Sequence, residues 1–366
     1  MKIVVSRIDG IDILISYLEF NQIEYTLDDL WDNDTNTHDL HPSLTQDNST
    51  LLIVNDTIFY ELCTWDSSRP QLVEFCNNGN KVWVWSDYDN LTSAIIDSAL
   101  ITDLDSCVPA GSVHIFPDGS FTDNHPVNNL TNIRNHALPR ATFETARRMR
   151  IFKAKVDKHD CSKDYMLTTS KRRSRPHRKV LWEQLTAIPG LLDRGHANYT
   201  IKSQVINTPQ WIGHQSPLHP TNTPGHDCHP SMDLYSDSWL EIVPESLYRD
   251  GYFTTEKTIK PMVTKTPFLI VATRYQLEYM KQLGFQTFSS IIDESYDNEP
   301  RVEDRIKLML VQLQDIIKNG TQAFYNECAS ILEHNQNTVL DIKGRMQHET
   351  DLFLTQHFEL AEKDLG

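Results

Sequence analysis

Trp239 to Val271 runs WLEIVPESLYRDGYFTTEKTIKPMVTKTPFLIV, and the reading of the chain turns on this stretch. Trp239 to Val243 is an apolar-rich run of strand length, while Pro244 to Phe253 is broken by Pro, Asp and Gly as a loop is. Thr254 or Thr255 is suited to cap a helix reaching about Val263, and Glu256 falls in its first turn, where the helix dipole favours a carboxylate. Pro267 to Val271 then supplies another buried strand. Strand, helix and strand in such short order predict an α/β layer. Sites in such sheets lie beyond the carboxyl ends of the strands.

Downstream, a helix over Tyr275 to Leu283 ends at Gly284, the expected terminator. Val302 to Lys318, Thr321 to His334 and Thr338 to Leu360 read as helices too, and none carries a sustained heptad, so they are packing helices rather than a coiled coil. Upstream, Tyr165 to Thr169 (YMLTT) is a short strand followed by the basic run Ser170 to Lys179 and a helix through Leu185. Pro176 suits the first helical turn, and Ser174 is close enough to cap it. A basic cluster at a strand-to-helix turn is suited to phosphate, because unpaired N–H groups and the positive end of the dipole point there. Arg175, His177 and Arg178 would add charged donors, arginine in bidentate fashion.

The first 139 residues repeat the pattern. Lys2 to Ser6, Leu51 to Asn55, Lys81 to Trp85 and Val113 to Phe116 have strand length, and Ile11 to Phe20, Pro70 to Asn77 and Asn90 to Leu100 carry helical periodicity between them. A parallel sheet covered on both faces is expected, with Arg7, Asp9, Gly10, Asn55, Asp56, Ser86 and Asp87 at the strand ends. Asn and Asp are also ordinary turn and cap residues, and that plainer role is preferred for any single one. Neither GxGxxG after the first strand nor GxxxxGK[ST] anywhere occurs, which argues against dinucleotide dehydrogenases and P-loop enzymes. Polar, Pro-containing sequence from Asp118 to Pro139 precedes a basic amphipathic helix at Arg140 to Lys158 and marks a boundary. Three parts follow: 1–139, 140–337, and 338–366 as a C-terminal helix that can pack back on the first domain.

Charge is divided as sharply. The 366 residues carry a net charge of −16, yet residues 1–139 hold 5 Lys and Arg against 21 Asp and Glu, and residues 140–180 hold 14 against 4. An acidic front repels a polyanion, and one basic stretch can attract a small anion or serve as a solvated linker. Six cysteines lie far apart with no CxxC, as expected of reduced thiols in a cytoplasmic protein. Arg7, Asp9 and Asp12 interrupt the apolar start, so neither a signal peptide nor a membrane span is expected there.

The run Tyr252-Phe253-Thr254-Thr255-Glu256-Lys257, preceded by Val243-Pro244-Glu245-Ser246 and followed by Lys260-Pro261 and Pro267-Phe268, resembles the donor-binding signature of fucosyltransferase-like glycosyltransferases. Leu283 to Phe288, Asp293 to Asp297 and Arg175-Pro176-His177-Arg178 resemble segments of viral and bacterial glycosyltransferase-like proteins that share this half. The resemblance spans about residues 163 to 305 and departs from the pattern at Ser246, where Asn is usual, and at Phe253, where a smaller residue is usual. It implies two Rossmann-like domains facing a cleft, the GT-B arrangement, and metal-independent sugar transfer from a nucleotide-sugar donor to a hydroxyl acceptor, a glycan or other biomolecule. Lys257, Arg175 and Arg178 would hold the diphosphate, Glu256 the ribose or sugar, and Glu245 the sugar or the neighbouring loop; Tyr252 and Thr255 complete the donor set. The general base would be an Asp of the first domain, with Asp9 preferred over Asp56 and Asp87. Two alternatives remain: a DNA-modifying enzyme acting on hydroxymethylated bases, and a non-catalytic anion- or nucleic-acid-binding module. DNA is not the favoured acceptor, because each backbone contact needs a Lys or Arg and the first domain is acidic.

Other conspicuous residues have two readings each. Trp211 to Pro230 gathers His214, His219, His226, Cys228 and His229, which could ligate zinc, but no pair has finger spacing and a Pro-rich loop is the plainer reading. Asp293-Glu294-Ser295-Tyr296-Asp297 could mimic a metal site, with an acidic turn as the plainer alternative. Trp65, Trp83 and Trp85 could stack on a sugar, yet Trp83 and Trp85 share one strand face and suit a core.

Overall fold

The computed structural model describes residues 2–6, 18–19, 22–28, 31–32, 37–38, 49–55, 58–59, 62–63, 68–85, 98–116, 120–121, 129–136, 156, 158, 160–169, 175–201, 204–208, 232–249, 251–252, 254–341, 355–356 and 358. The chain divides into two compact units, Met1–Arg140 with Met346–Gly366, and Ala141–Arg345.

In the first unit, β1 (Lys2–Ser6), β2 (Thr26–Asp28), β3 (Thr50–Asn55), β4 (Lys81–Trp85), β5 (Val113–Phe116) and β6 (Ile133–Asn135) form a sheet ordered β2-β1-β3-β4-β5-β6. Every neighbouring pair is parallel. The central strands are rich in Ile, Val, Leu and Trp because both faces are buried. Val4, Leu52, Val54, Val82, Val84, Val113 and Ile115 pack on one side, joined by Leu72 and Phe75 of α1 (Ser68–Asn77) and Leu104 of α2 (Ser98–Cys107). Ile3, Val5, Leu51, Ile53, Trp83 and Phe116 pack on the other with Phe358, from the far end of the chain. Trp83 is thus a core residue, its ring 4.6 Å from that of Phe358 and 5.2 Å from that of Phe116.

The edge strand β6 is three residues long and too short to specify itself. It is held by Asp105 of α2, whose carboxylate accepts from the N–H groups of Thr131, Asn132 and Ile133 at 3.0, 2.8 and 2.6 Å. Burial pushes this carboxyl up, but those backbone donors more than offset it and hold it below the usual carboxylate range.

The second unit has β7 (Lys163–Leu167), β8 (Gly195–Ile201), β9 (Gln204–Asn207), β10 (Ser238–Pro244) and β11 (Phe268–Val271) in the order β9-β8-β7-β10-β11. All pairs are parallel except β8 with β9, an antiparallel hairpin at one edge. Gly195 opens β8 against the Tyr165 ring, where any Cβ would overlap the aromatic carbons. The described helices of seven residues or more are α3 (Pro176–Ala187), α4 (Glu256–Val263), α5 (Gln276–Gln282), α6 (Val302–Asn319) and α7 (Thr321–Glu327), with α8 over 329–341. Leu181 and Leu185 of α3, Ile259 and Met262 of α4, and Ile306, Met309 and Leu313 of α6 are all buried. Gly284 follows α5 with φ 91°, the left-handed conformation expected of a helix terminator.

Several local expectations change. The last helical stretch does not begin at Thr338: helix already runs from 329 through 341, and the break falls at Cys328. Of the helix placed on Asn90 to Leu100, only Ser98 to Leu100 is described, and these residues are helical in an element that runs on to Cys107. Arg175 occupies the N-cap position of α3, and Ser174 lies outside the described residues. The helix expected at Arg140 to Lys158 falls almost wholly outside the described residues. Of the cysteines, Cys63, Cys76, Cys107, Cys161 and Cys328 are free thiols. Among the described residues, no helix is long and apolar enough to cross a membrane.

Candidate functional site

In the second sheet the strand order reverses between β7 and β10, because α3 carries the chain from β7 to β8 on one side and β10 returns on the other. The carboxyl ends of two adjacent parallel strands therefore splay their connections apart there, which is where open α/β sheets hold ligands. β10 ends at Pro244 and is followed by Glu245 and Ser246; the connection after β7 reaches the N-terminus of α3 at Arg175.

These two connections are joined by three side chains at the start of α3. Arg175 Nη1 donates to Ser246 O at 2.6 Å, His177 Nε2 to Glu245 O at 2.9 Å, and Arg178 Nη2 to Pro244 O at 3.3 Å and Glu245 O at 3.4 Å. Pro176 at the first helical position explains the register, since its fixed φ starts the helix immediately after Arg175 and sets Arg178 one turn on. From the other side comes α4. Its N-cap Thr255 accepts from Lys257 N, and Lys257 Nζ donates to Ser246 Oγ at 3.1 Å, Thr255 Oγ1 at 3.3 Å and Glu256 Oε1 at 2.7 Å. Arg175, Arg178 and Lys257 thus meet on three consecutive residues, Pro244 to Ser246.

Glu245 lies beneath them, wholly buried. Its carboxylate accepts from Ser246 N at 2.6 Å, Thr255 N at 2.7 Å, Thr255 Oγ1 at 2.8 Å and Thr258 Oγ1 at 2.7 Å. Four donors use its oxygens within the fold, tying Glu245 to the loop after β10 and to α4. Thr258 escapes a sequence reading, although it lies three residues beyond the cap Thr255 on the same helical face.

Glu256 and His177 carry the perturbed charges. Burial pushes Glu256 up, but the cations of Lys257 and Lys260, with the Lys257 hydrogen bond, bring it down to about 2. His177 is pushed down to about 3, first by burial and then by the Arg178 charge, with Arg175 and Lys257 acting the same way. It is therefore a neutral ring and not the additional cation the sequence suggests. Tyr252 turns to α5, where its ring stacks on Tyr279 with centroids 5.3 Å apart.

The acidic run after α5 has local duties. Asp293 Oδ1 accepts from Ser295 N, Glu294 Oε1 from Phe288 N and Asp297 Oδ2 from Leu277 N, each carboxylate fixing a different turn. Asp9, Asp56 and Asp87, Trp65 and the His- and Cys-rich stretch 211–230 lie outside the described residues, as does the side chain of Trp85. β1 and β3 flank the reversal of strand order in the first sheet, and they end three residues before Asp9 and one before Asp56.

No protein-family model matches the chain, and no curated protein matches it. Among solved structures, a DNA-modifying β-glucosyltransferase, determined with and without its substrate uridine diphosphoglucose, is similar at 10% identity and a TM-score of 0.39, covering 99% of each chain. An α1,3-fucosyltransferase is similar at 10% identity and a TM-score of 0.38, covering 89% of this chain and 81% of its own.

Proposed function

We propose that this chain is a glycosyltransferase that moves a sugar from a nucleotide-sugar donor to a hydroxyl acceptor, the donor diphosphate being held beyond the carboxyl ends of β7 and β10. The observation that carries the reading is the meeting of Arg175, Arg178 and Lys257, from the N-termini of two different helices, on Pro244 to Ser246 at the reversal of strand order. When the bond from sugar to diphosphate breaks, negative charge develops on a phosphate oxygen. Cations and helix N–H groups already fixed in place stabilise that charge without reorganising. In this reading Lys257, Arg175 and Arg178 hold the phosphates, no metal is needed for that purpose, and Glu256 receives hydroxyls of the ribose or sugar while orienting the Lys257 ammonium. The acceptor would be deprotonated by a carboxylate following a strand of the first sheet, Asp9 ahead of Asp56 and Asp87.

A thermal-shift screen of nucleoside diphosphates and nucleotide sugars tests this directly. A ligand at 100 times its dissociation constant adds about 2.7 kcal/mol of stability. A base-selective shift that disappears in Lys257→Ala is the expected result. No shift with any member of the panel, or one unchanged in Lys257→Ala, rejects the assignment.

A further inference from the structure

His177 is wholly buried in the first turn of α3, with Nε2 bonded to the carbonyl oxygen of Glu245. A carbonyl can only accept, so Nε2 bears the proton of a neutral imidazole. One face of the ring stacks on Tyr248, with centroids 4.8 Å apart, so hydrogen bond and stack together leave the ring one orientation.

What His177 holds is a single peptide plane. The Glu245 carbonyl is bound at one end by His177, and the Ser246 N–H at the other donates to the carboxylate of Glu245 itself. That carboxylate is anchored in turn by Thr255 and Thr258 of α4. Beyond the plane stands Ser246, which receives Arg175 through its carbonyl and Lys257 through its hydroxyl. Arg178 also reaches the Glu245 carbonyl, but at 3.4 Å it is the longer and weaker contact beside the imidazole at 2.9 Å.

We infer that His177 is a positioning residue of this site: as a neutral donor it fixes the Glu245–Ser246 peptide, and through Ser246 it sets the spacing of Arg175 and Lys257 that a diphosphate must bridge. The inference rests on the donor-site reading above and extends it to a residue that need not touch the ligand. A histidine suits the position because an arginine or lysine there would bury a further charge among cations.

The test uses the full chain, with UDP, GDP and inorganic pyrophosphate titrated by calorimetry and melting followed in parallel. His177→Phe keeps a ring for Tyr248 and removes the donor, whereas His177→Gln places an amide N–H near the former Nε2. Affinity lowered at least about tenfold in the Phe variant and restored to within about threefold in the Gln variant is the expected pattern. Equal affinity of the Phe variant and wild type overturns the inference, as does a Gln variant as weak as the Phe one. Should His177→Phe lose its melting transition, Gln is compared with Asn, whose shorter side chain cannot reach the carbonyl, and equal affinity of the two overturns it. A wild-type chain that binds none of the three probes rejects the donor-site reading and this inference together, which distinguishes that failure from the others.

Discussion

Lys257 and Glu256 are neighbours at the start of one helix, and the ion pair between them, at 2.7 Å, determines how each can be tested. A carboxylate in a first helical turn gains only about 0.3 to 1 kcal/mol from the dipole. Glu256 has more at stake, because its folded pKa of about 2 lies below its ordinary value of 4.5. A lowered carboxyl stabilises the fold above its unfolded pKa and loses that contribution as pH falls from about 4.5 toward 2. Glu256→Gln keeps the shape, removes the charge and releases Lys257 from its partner. We expect a modest fall in melting temperature at neutral pH together with donor affinity reduced at least about tenfold, about 1.4 kcal/mol. Lower melting with unchanged affinity would reduce Glu256 to a partner of Lys257. The sequence placed Lys257 and Glu256 at the head of a helix from spacing alone. It could not show that Glu245, one residue past β10, is consumed by Thr255 and Thr258, because that depends on which face of α4 meets the sheet.

At the scale of elements, β10 is buried at all seven positions, yet it carries Glu241 in its middle. Burial raises this carboxyl to about 7, only partly countered by the Tyr235 hydroxyl, which donates to Oε2 at 2.6 Å, and by the charges of Lys260 and Lys158. Lys158 is itself brought down to about 8 by burial. A carboxyl whose folded pKa exceeds its unfolded value stabilises below the unfolded value and loses that contribution as pH rises. Melting temperature should therefore decline as pH rises from about 4.5 to about 7, with Asp297, raised by burial to about 6, adding to the slope. In Glu241→Gln the decline should flatten, and the variant should melt above wild type at pH 7.5. An unchanged pH profile would show that Glu241 does not titrate in this range. Elements of strong pattern, such as β3, β4, β10 and α6, were legible in the chain. β2, β6 and the β8–β9 hairpin were not, since short polar strands such as β6 are specified by partners like Asp105 rather than by their own residues.

At the scale of the molecule, the basic stretch makes sense beside an acidic front once Arg175 and Arg178 are seen joined to Lys257 of a later element. Charge of that sign and number can offset a diphosphate, so activity assayed by release of nucleoside diphosphate should survive excess EDTA. Complete loss that Mn²⁺ or Mg²⁺ restores would reject the metal-independent reading and turn attention to carboxylates as ligands. The two sheets also differ in their edges: the first is parallel throughout, while the second ends in an antiparallel hairpin.

By itself the sequence determined the class of each half, because Ile- and Val-rich runs separated by periodic segments bury both faces of a strand and leave few options but a covered parallel sheet. It determined, too, that Arg175, Arg178 and Lys257 stand at helix starts, since Pro176 and Thr255 are local signals read within one turn. Only the tertiary structure decided that these starts share one place. Arg178 and Lys257 are far apart in the chain, and their meeting requires β7 and β10 to be neighbours, an order set by the packing of α3, α4 and α6 on the sheet. It also decided the charge of His177, which depends on burial and on three cations from two helices that no local window of residues contains.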